Sequence, residues 1–165
     1  LKQIKGIGNV KAIQLLSVCE IAKRMFSPIN NINKKIISAN DVADLLMNEM
    51  MFERQEIIKL LLLNTKNEVV CIKDIVIGDV SFSNVLIKLI LSEAIKLKVE
   101  KIILVHNHPS GDPTPSNSDI KLTIELYRAS KIMGIKLLDH VVIGYNKFEI
   151  MPENCFLDIG RFVPK

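Results

Sequence analysis

Residues 102–119 read Ile-Ile-Leu-Val-His-Asn-His-Pro-Ser-Gly-Asp-Pro-Thr-Pro-Ser-Asn-Ser-Asp, and the way this stretch divides decides the fold. The apolar run Ile102 to Val105 predicts the end of a strand. His106 and His108 follow it one residue apart, so both rings can reach a metal ion from the strand's C-terminal edge. A Ser116-x-x-Asp119 step then opens an amphipathic helical pattern, which puts Asp119 in the first turn of a helix just across a short loop. Two imidazoles and a carboxylate occupy three positions around a zinc ion and leave the fourth to water. That is the pattern of a catalytic zinc site, because structural sites are usually closed by four protein ligands.

Each part also has a plainer reading. Ser116-x-x-Asp119 is an ordinary capping box, in which each side chain satisfies an orphan N–H of the first turn. A His-x-His pair can also be a solvated strand end. The loop between them favours the metal reading. Its three prolines and one glycine, between Pro109 and Pro115, lower the entropy of holding His108 and Ser116 in a fixed relation.

Outward from this stretch, the texture is β from Glu56: Ile57 to Leu63, a hairpin turn Thr65-Lys66-Asn67-Glu68, then Val69 to Ile77. A helix is predicted from Ser83 to about Lys98, with Val85, Leu86, Leu89, Ile90, Ala94 and Leu97 on its apolar face. Ser116 to about Met133 is the helix of Asp119, with Ile120, Thr123, Ile124, Tyr127 and Ala129 inward and Gly134 as its stop. Leu137 to Ile143 and Phe148 to Met151 are strands about a turn at Gly144 to Lys147. Upstream lie a short helix from about Ala39 to Met51, N-capped by Ser38 or Asn40, and a linker from Ser27 to Lys35. Because the first two strands form a hairpin while helices separate the others, an α/β fold with a mixed sheet flanked by helices is expected. The chain divides into a small helical segment, residues 1–50, and a metal-binding domain, residues 51–165.

The 165 residues suffice for one well-buried domain and a small appendage. Hydrophobic and charged shares of 48% and 24% are those of a globular protein, without low complexity or repeats. Apolar stretches such as Leu60 to Leu63 and Val85 to Leu91, the latter broken by Lys88, fall far short of a bilayer span, so no membrane association is expected. The start Leu-Lys-Gln-Ile-Lys-Gly has no apolar core of a signal peptide. Cys19, Cys71 and Cys155 are scattered, which argues for reduced thiols and a cytoplasmic location.

The net charge is +4, and residues 1–50 hold seven Lys or Arg against four acids. Nucleic-acid affinity would therefore reside in the N-terminal part. There Gly6-Ile7-Gly8 feeds an apolar helical pattern, Ile13, Leu15, Leu16, Val18, Ile21 and Ala22, and such a turn can present backbone N–H groups to a phosphate. A turn that merely packs a helix has the same composition.

His106-x-His108, seven residues, Ser116, two residues and Asp119 match the spacing of the JAMM (MPN+) zinc metalloprotease motif. The wording His-Asn-His-Pro-Ser-Gly-Asp-Pro-x-Pro-Ser resembles its bacterial RadC-like branch, including Asn107 where eukaryotic members have Ser or Thr. The resemblance runs from Gly6 to about Glu153. It implies a JAMM/MPN-like fold with a cytidine-deaminase-like core, one zinc ion on His106, His108 and Asp119, and a glutamate upstream as general base. Glu56 matches the Gln-Glu that precedes the first strand in that branch, though Glu53 and Glu68 are other acids within reach of the same role. Ser116 would hydrogen-bond the oxyanion of the tetrahedral intermediate. The N-terminal words resemble half of a helix-hairpin-helix DNA-binding motif, with five residues before Gly6. Asp139-His140 resembles a recurring pair of the branch; it reads as a polar pair closing a strand end or as a contact behind the metal ligands or to substrate, and it is not assigned to catalysis. One departure stands out: Leu86-Ile87-Lys88-Leu89 replaces the usual His-Pro-Arg-Glu.

Two functions follow as expectations. The first is a zinc hydrolase acting on a peptide or isopeptide bond of an unidentified peptide or protein. The alternative is a DNA-associated repair or recombination factor whose metal domain is a nuclease or a scaffold. Nucleases with two metals need a carboxylate cluster, and only Asp119, Glu56 and Asp112 are at hand. The His-x-Glu and Pro-Cys-x-x-Cys signature of zinc nucleobase deaminases is absent.

Overall fold

The structure, a computed structural model, describes residues 3–25, 32–77 and 83–156. Its elements in chain order are α1 (Asn9–Met25), α2 (Ala39–Met50), β1 (Ile57–Leu63), β2 (Val69–Ile77), α3 (Ser83–Lys96), β3 (Lys101–Asn107), α4 (Asn117–Ile132), β4 (Lys136–Ile143), β5 (Phe148–Ile150) and a 3₁₀ turn at Glu153–Cys155. The strands form one sheet in the order β2-β1-β3-β4-β5. β3 and β4 are parallel, joined through α4, and the remaining pairs are antiparallel, so the sheet is mixed as the hairpin pattern implies.

β1 and β3 read as apolar runs because both faces of the sheet are covered. On one face Ile58, Leu60 and Leu62 of β1 and Ile102 and Leu104 of β3 pack with Leu86, Ile90 and Ala94 of α3 and Leu126 and Tyr127 of α4. On the other, Ile57, Leu61, Leu63, Ile103 and Val105 pack with Val42, Leu45, Leu46 and Met50 of α2. Each such leucine contributes about 1.5–3 kcal/mol relative to exposure. α2, which precedes residue 51, is thus a layer of the same core as the sheet.

Two apolar faces differ from the sequence pattern. In α3, Val85 and Leu89 are exposed, as is Leu97 just past its end, and Ile87 and Leu91 are buried instead. The buried stripe is therefore rotated toward 86, 87, 90, 91 and 94, and Leu86-Ile87, at the departure from His-Pro, serves the core. In α1 Ala12 is buried, while Ile13, Leu15, Leu16, Val18 and Ile21 are exposed.

The expected linker is in part structured. Residues 27–31 lie outside the described residues, but the N–H of Val69 donates to Lys34 O at 2.9 Å and that of Ile36 to Asn67 O at 2.8 Å. The segment covers backbone groups at the end of the β1–β2 hairpin that would otherwise be left open. Among the described residues no helix is long and apolar enough to cross a membrane.

Candidate metal centre

β3, the middle strand, extends two residues beyond the predicted apolar run and includes His106 and Asn107. Strand alternation puts His106 on the face of Ile102 and Leu104, toward α4, and Asn107 on the opposite face. His108 begins the proline-rich loop, held to the sheet by its N–H, which donates to Ile143 O at 2.9 Å. The loop ends at Ser116, the N-cap of α4. The Ser116 hydroxyl accepts from the Asp119 N–H at 3.2 Å and the Ser116 N–H donates to Asp119 Oδ2 at 2.7 Å. Cap and ligand are the same residues, because the capping box turns the Asp119 carboxylate back toward the loop and the histidines.

Four side chains converge. One ligating atom from each of Glu56, His106, His108 and Asp119 lies within 4.8 Å of the others, and these residues form a group able to hold a metal ion. His106 Nε2 stands 3.1 Å from His108 Nε2 and 3.4 Å from Asp119 Oδ1, and His108 Nε2 stands 3.4 Å from Asp119 Oδ2. Donors bound at about 2.0–2.1 Å around a tetrahedral ion are about 3.3–3.4 Å apart, so the set fits a zinc-sized cation. His108 Nδ1 lies 2.8 Å from Asp112 O, an atom that can only accept, so Nδ1 is the donor there and Nε2 is the nitrogen turned to the group. Burial alone would push the Asp119 carboxyl up. The contact with His106 and the hydrogen bonds from Ser116 outweigh it and hold the group well below the usual carboxylate range, as an anion.

Glu56 is half-buried just before β1, and Asn107 sets the backbone on either side of it. The buried Asn107 amide accepts from Ile57 N–H at 2.8 Å and donates toward Gln55 O at 3.2 Å and Glu53 O at 3.4 Å. The residue between the two histidines thereby ties the segment carrying Glu56 to the strand carrying the histidines. Sequence reasoning missed this role; the only signal was a polar residue at a position that strand alternation turns inward.

Ser116 is exposed, and its hydroxyl donates to Asp119 Oδ2 at 2.6 Å. Asp112 is exposed too, and its side chain is engaged with Thr114. Glu68 pairs with Asn64 at the hairpin turn, away from the group. Gly6, at φ +92°, and Gly8 form an exposed turn before α1, where the Lys11 ammonium donates to Gly6 O at 3.3 Å. His140 and Thr123 are buried behind His106: His140 Nε2 lies 2.8 Å from His106 Nδ1, and its Nδ1 2.7 Å from Thr123 Oγ1.

A mixed sheet between helical layers, with a metal-capable His-x-His and Asp group at the end of its middle strand, defines the class of JAB/MPN domains of the JAMM metal-dependent hydrolase superfamily. Within that class the chain belongs to the RadC-like JAB domain family, whose model matches residues 36–154, α2 included. It is 46% identical over 153 residues to a UPF0758 protein of Clostridium botulinum (strain Loch Maree / Type A3), covering 93% of this chain and 67% of that protein. To a UPF0758 protein of Alkaliphilus metalliredigens (strain QYMF) it is 43% identical over 157 residues, 95% of this chain and 68% of the relative. The chain thus spans about two thirds of the length of these relatives.

Proposed function

We propose that the protein is a zinc-dependent metallopeptidase or isopeptidase acting on a peptide or protein substrate, with His106, His108 and Asp119 as zinc ligands and Glu56 as general base. The observation that carries this reading is the fourth member of the group. Glu56 is a carboxylate beyond the three ligands a catalytic zinc site needs, within 4.8 Å of their ligating atoms. Zinc held there would supply a water whose pKa falls to about 7. Glu56 takes a proton from the attacking water and returns it to the departing amide nitrogen. The Ser116 hydroxyl would swing from Asp119 to the developing oxyanion, while the Ser116 N–H keeps its own hydrogen bond to Asp119 Oδ2. A second metal, as in two-metal nucleases, would call for further carboxylates, and among the described residues this is the one such group.

The test is metal analysis followed by peptide, isopeptide and nucleic-acid hydrolysis assays on one preparation. The zinc-loaded protein should cleave an amide bond. Glu56→Gln should keep zinc and lose about 10²- to 10⁴-fold in rate, the usual worth of a general base. Asp119→Ala and His108→Ala should lose the metal itself. A Glu56→Gln protein as active as the wild type would remove Glu56 from the mechanism. Cleavage of nucleic acid alone would favour the DNA-associated alternative.

A further inference from the structure

Behind the candidate metal ligands lies a chain of hydrogen bonds whose proton positions are fixed by counting. Thr123 Oγ1 lies 2.6 Å from the backbone O of Asp119, an atom that only accepts, so the single hydroxyl proton points there. The contact of Thr123 Oγ1 with His140 Nδ1, at 2.7 Å, must then carry its proton on the nitrogen. His106 Nε2 faces the ligating atoms of His108 and Asp119, so a ring that holds a metal there has its lone pair on Nε2 and its proton on Nδ1. The 2.8 Å contact between His140 Nε2 and His106 Nδ1 consequently takes its proton from His106. The bond holds the His106 ring with Nε2 turned to His108 Nε2 and the Asp119 carboxylate.

We propose that Thr123 and His140 are a positioning pair that fixes the tautomer and ring orientation of His106 for metal binding. The chain of bonds starts at the backbone of Asp119 and returns, through His106, to the carboxylate of the same residue. It links α4, β4 and β3, so the two ligands that come from different elements are set by one another. Thr123 is fully buried, as nearly is His140, and His140 is outside the group of ligating atoms. Partners of this kind on a ligating histidine are typically worth about 10- to 100-fold in metal affinity. The inference rests on the metal site of the proposed function but not on hydrolysis.

Two measurements on the whole chain test it. In the first, zinc affinity is read by competition with a chromophoric chelator. Thr123→Val, which keeps the shape and removes the hydroxyl, should weaken binding by about 10- to 100-fold, and Thr123→Ser should restore most of the loss. Thr123→Val with His140→Phe should be no worse than His140→Phe alone, because the two act through one chain. In the second, long-range ¹⁵N–¹H NMR of the zinc-loaded wild type should show His106 with zinc on Nε2 and its proton on Nδ1, and His140 with its proton on Nδ1. Should His140→Phe fail to fold, Thr123→Val and the wild-type spectrum decide the matter. Unchanged zinc affinity in a folded Thr123→Val protein, or a His106 proton on Nε2, overturns the pair. A wild type that binds no zinc defeats the metal reading, and with it the pair's assigned purpose, whereas zinc binding without any hydrolysis defeats only the proposed enzyme.

Discussion

At the scale of single residues, the candidate ligands could be read from the sequence because their chemistry and spacing are local: a His-x-His step and a helix start are both short-range signals. The side chains that organise them could not. Asn107 is tied to residues about fifty positions upstream, a contact no spacing rule encodes, and His140 meets His106 only because β3 and β4 are neighbours. Helical periodicity places Thr123 inward, which assigns it to the core and says nothing of its hydroxyl. The Asn107 clamp has a measurable consequence. In Asn107→Ala the buried N–H of Ile57 loses its acceptor, which should cost about 1–3 kcal/mol in urea unfolding and speed hydrogen exchange at that amide. Unaltered stability and exchange would mean that the segment before β1 is held by other contacts.

At the scale of elements, helix starts were more legible than helix faces. Ser38 and Ser116 each precede an acid three residues on, and both form reciprocal capping boxes. The face of α3 was less legible, since nearly every position from Val85 to Leu91 is apolar and periodicity cannot choose among them. The α2 cap carries a pH signature. Burial works to raise the Asp41 carboxyl, but N–H groups of Ile37 and Ser38, the Ser38 hydroxyl and the charge of Lys34 together hold it below the ordinary value. A pKa depressed in the folded state stabilises fully above the unfolded value of about 3.9 and loses that contribution as pH falls through the folded one. The stability difference between wild type and Asp41→Asn in denaturant should therefore be largest near neutral pH and shrink as the solution is acidified below about pH 4. Ser38→Ala should cost about 1 kcal/mol. A difference that stays constant with pH would mean the Asp41 charge contributes nothing to the cap.

Across the whole molecule, the mixed sheet could be inferred from the order of hairpin and crossover segments, but the mutual bracing of its loops could not, because it is made by backbone against backbone. Gly144, which opens the β4–β5 turn, packs on the metal-site loop so closely that a Cβ there would meet Gly111 O at 2.3 Å and Pro113 Cδ at 2.8 Å. The same two loops are joined by the Tyr145 N–H, which donates to Gly111 O at 2.9 Å, and the Tyr145 ring also meets Phe52 edge-on, in the segment just upstream of Glu56. Neither Gly111 O nor the proline ring can rotate away as a long side chain would. Gly144→Ala should consequently push the loop off the sheet, at a cost of about 1–3 kcal/mol. His108 and Ser116 stand at the ends of that loop, so zinc affinity should fall with stability. Gly8→Ala is the matched control, since a Cβ at Gly8 meets nothing within 4 Å, and it should change unfolding by no more than about 0.5 kcal/mol. If Gly144→Ala matches the wild type in both denaturant unfolding and chelator competition, the loop yields at little cost, and the ligand geometry is set by the capping box and the β3 strand without help from the far turn.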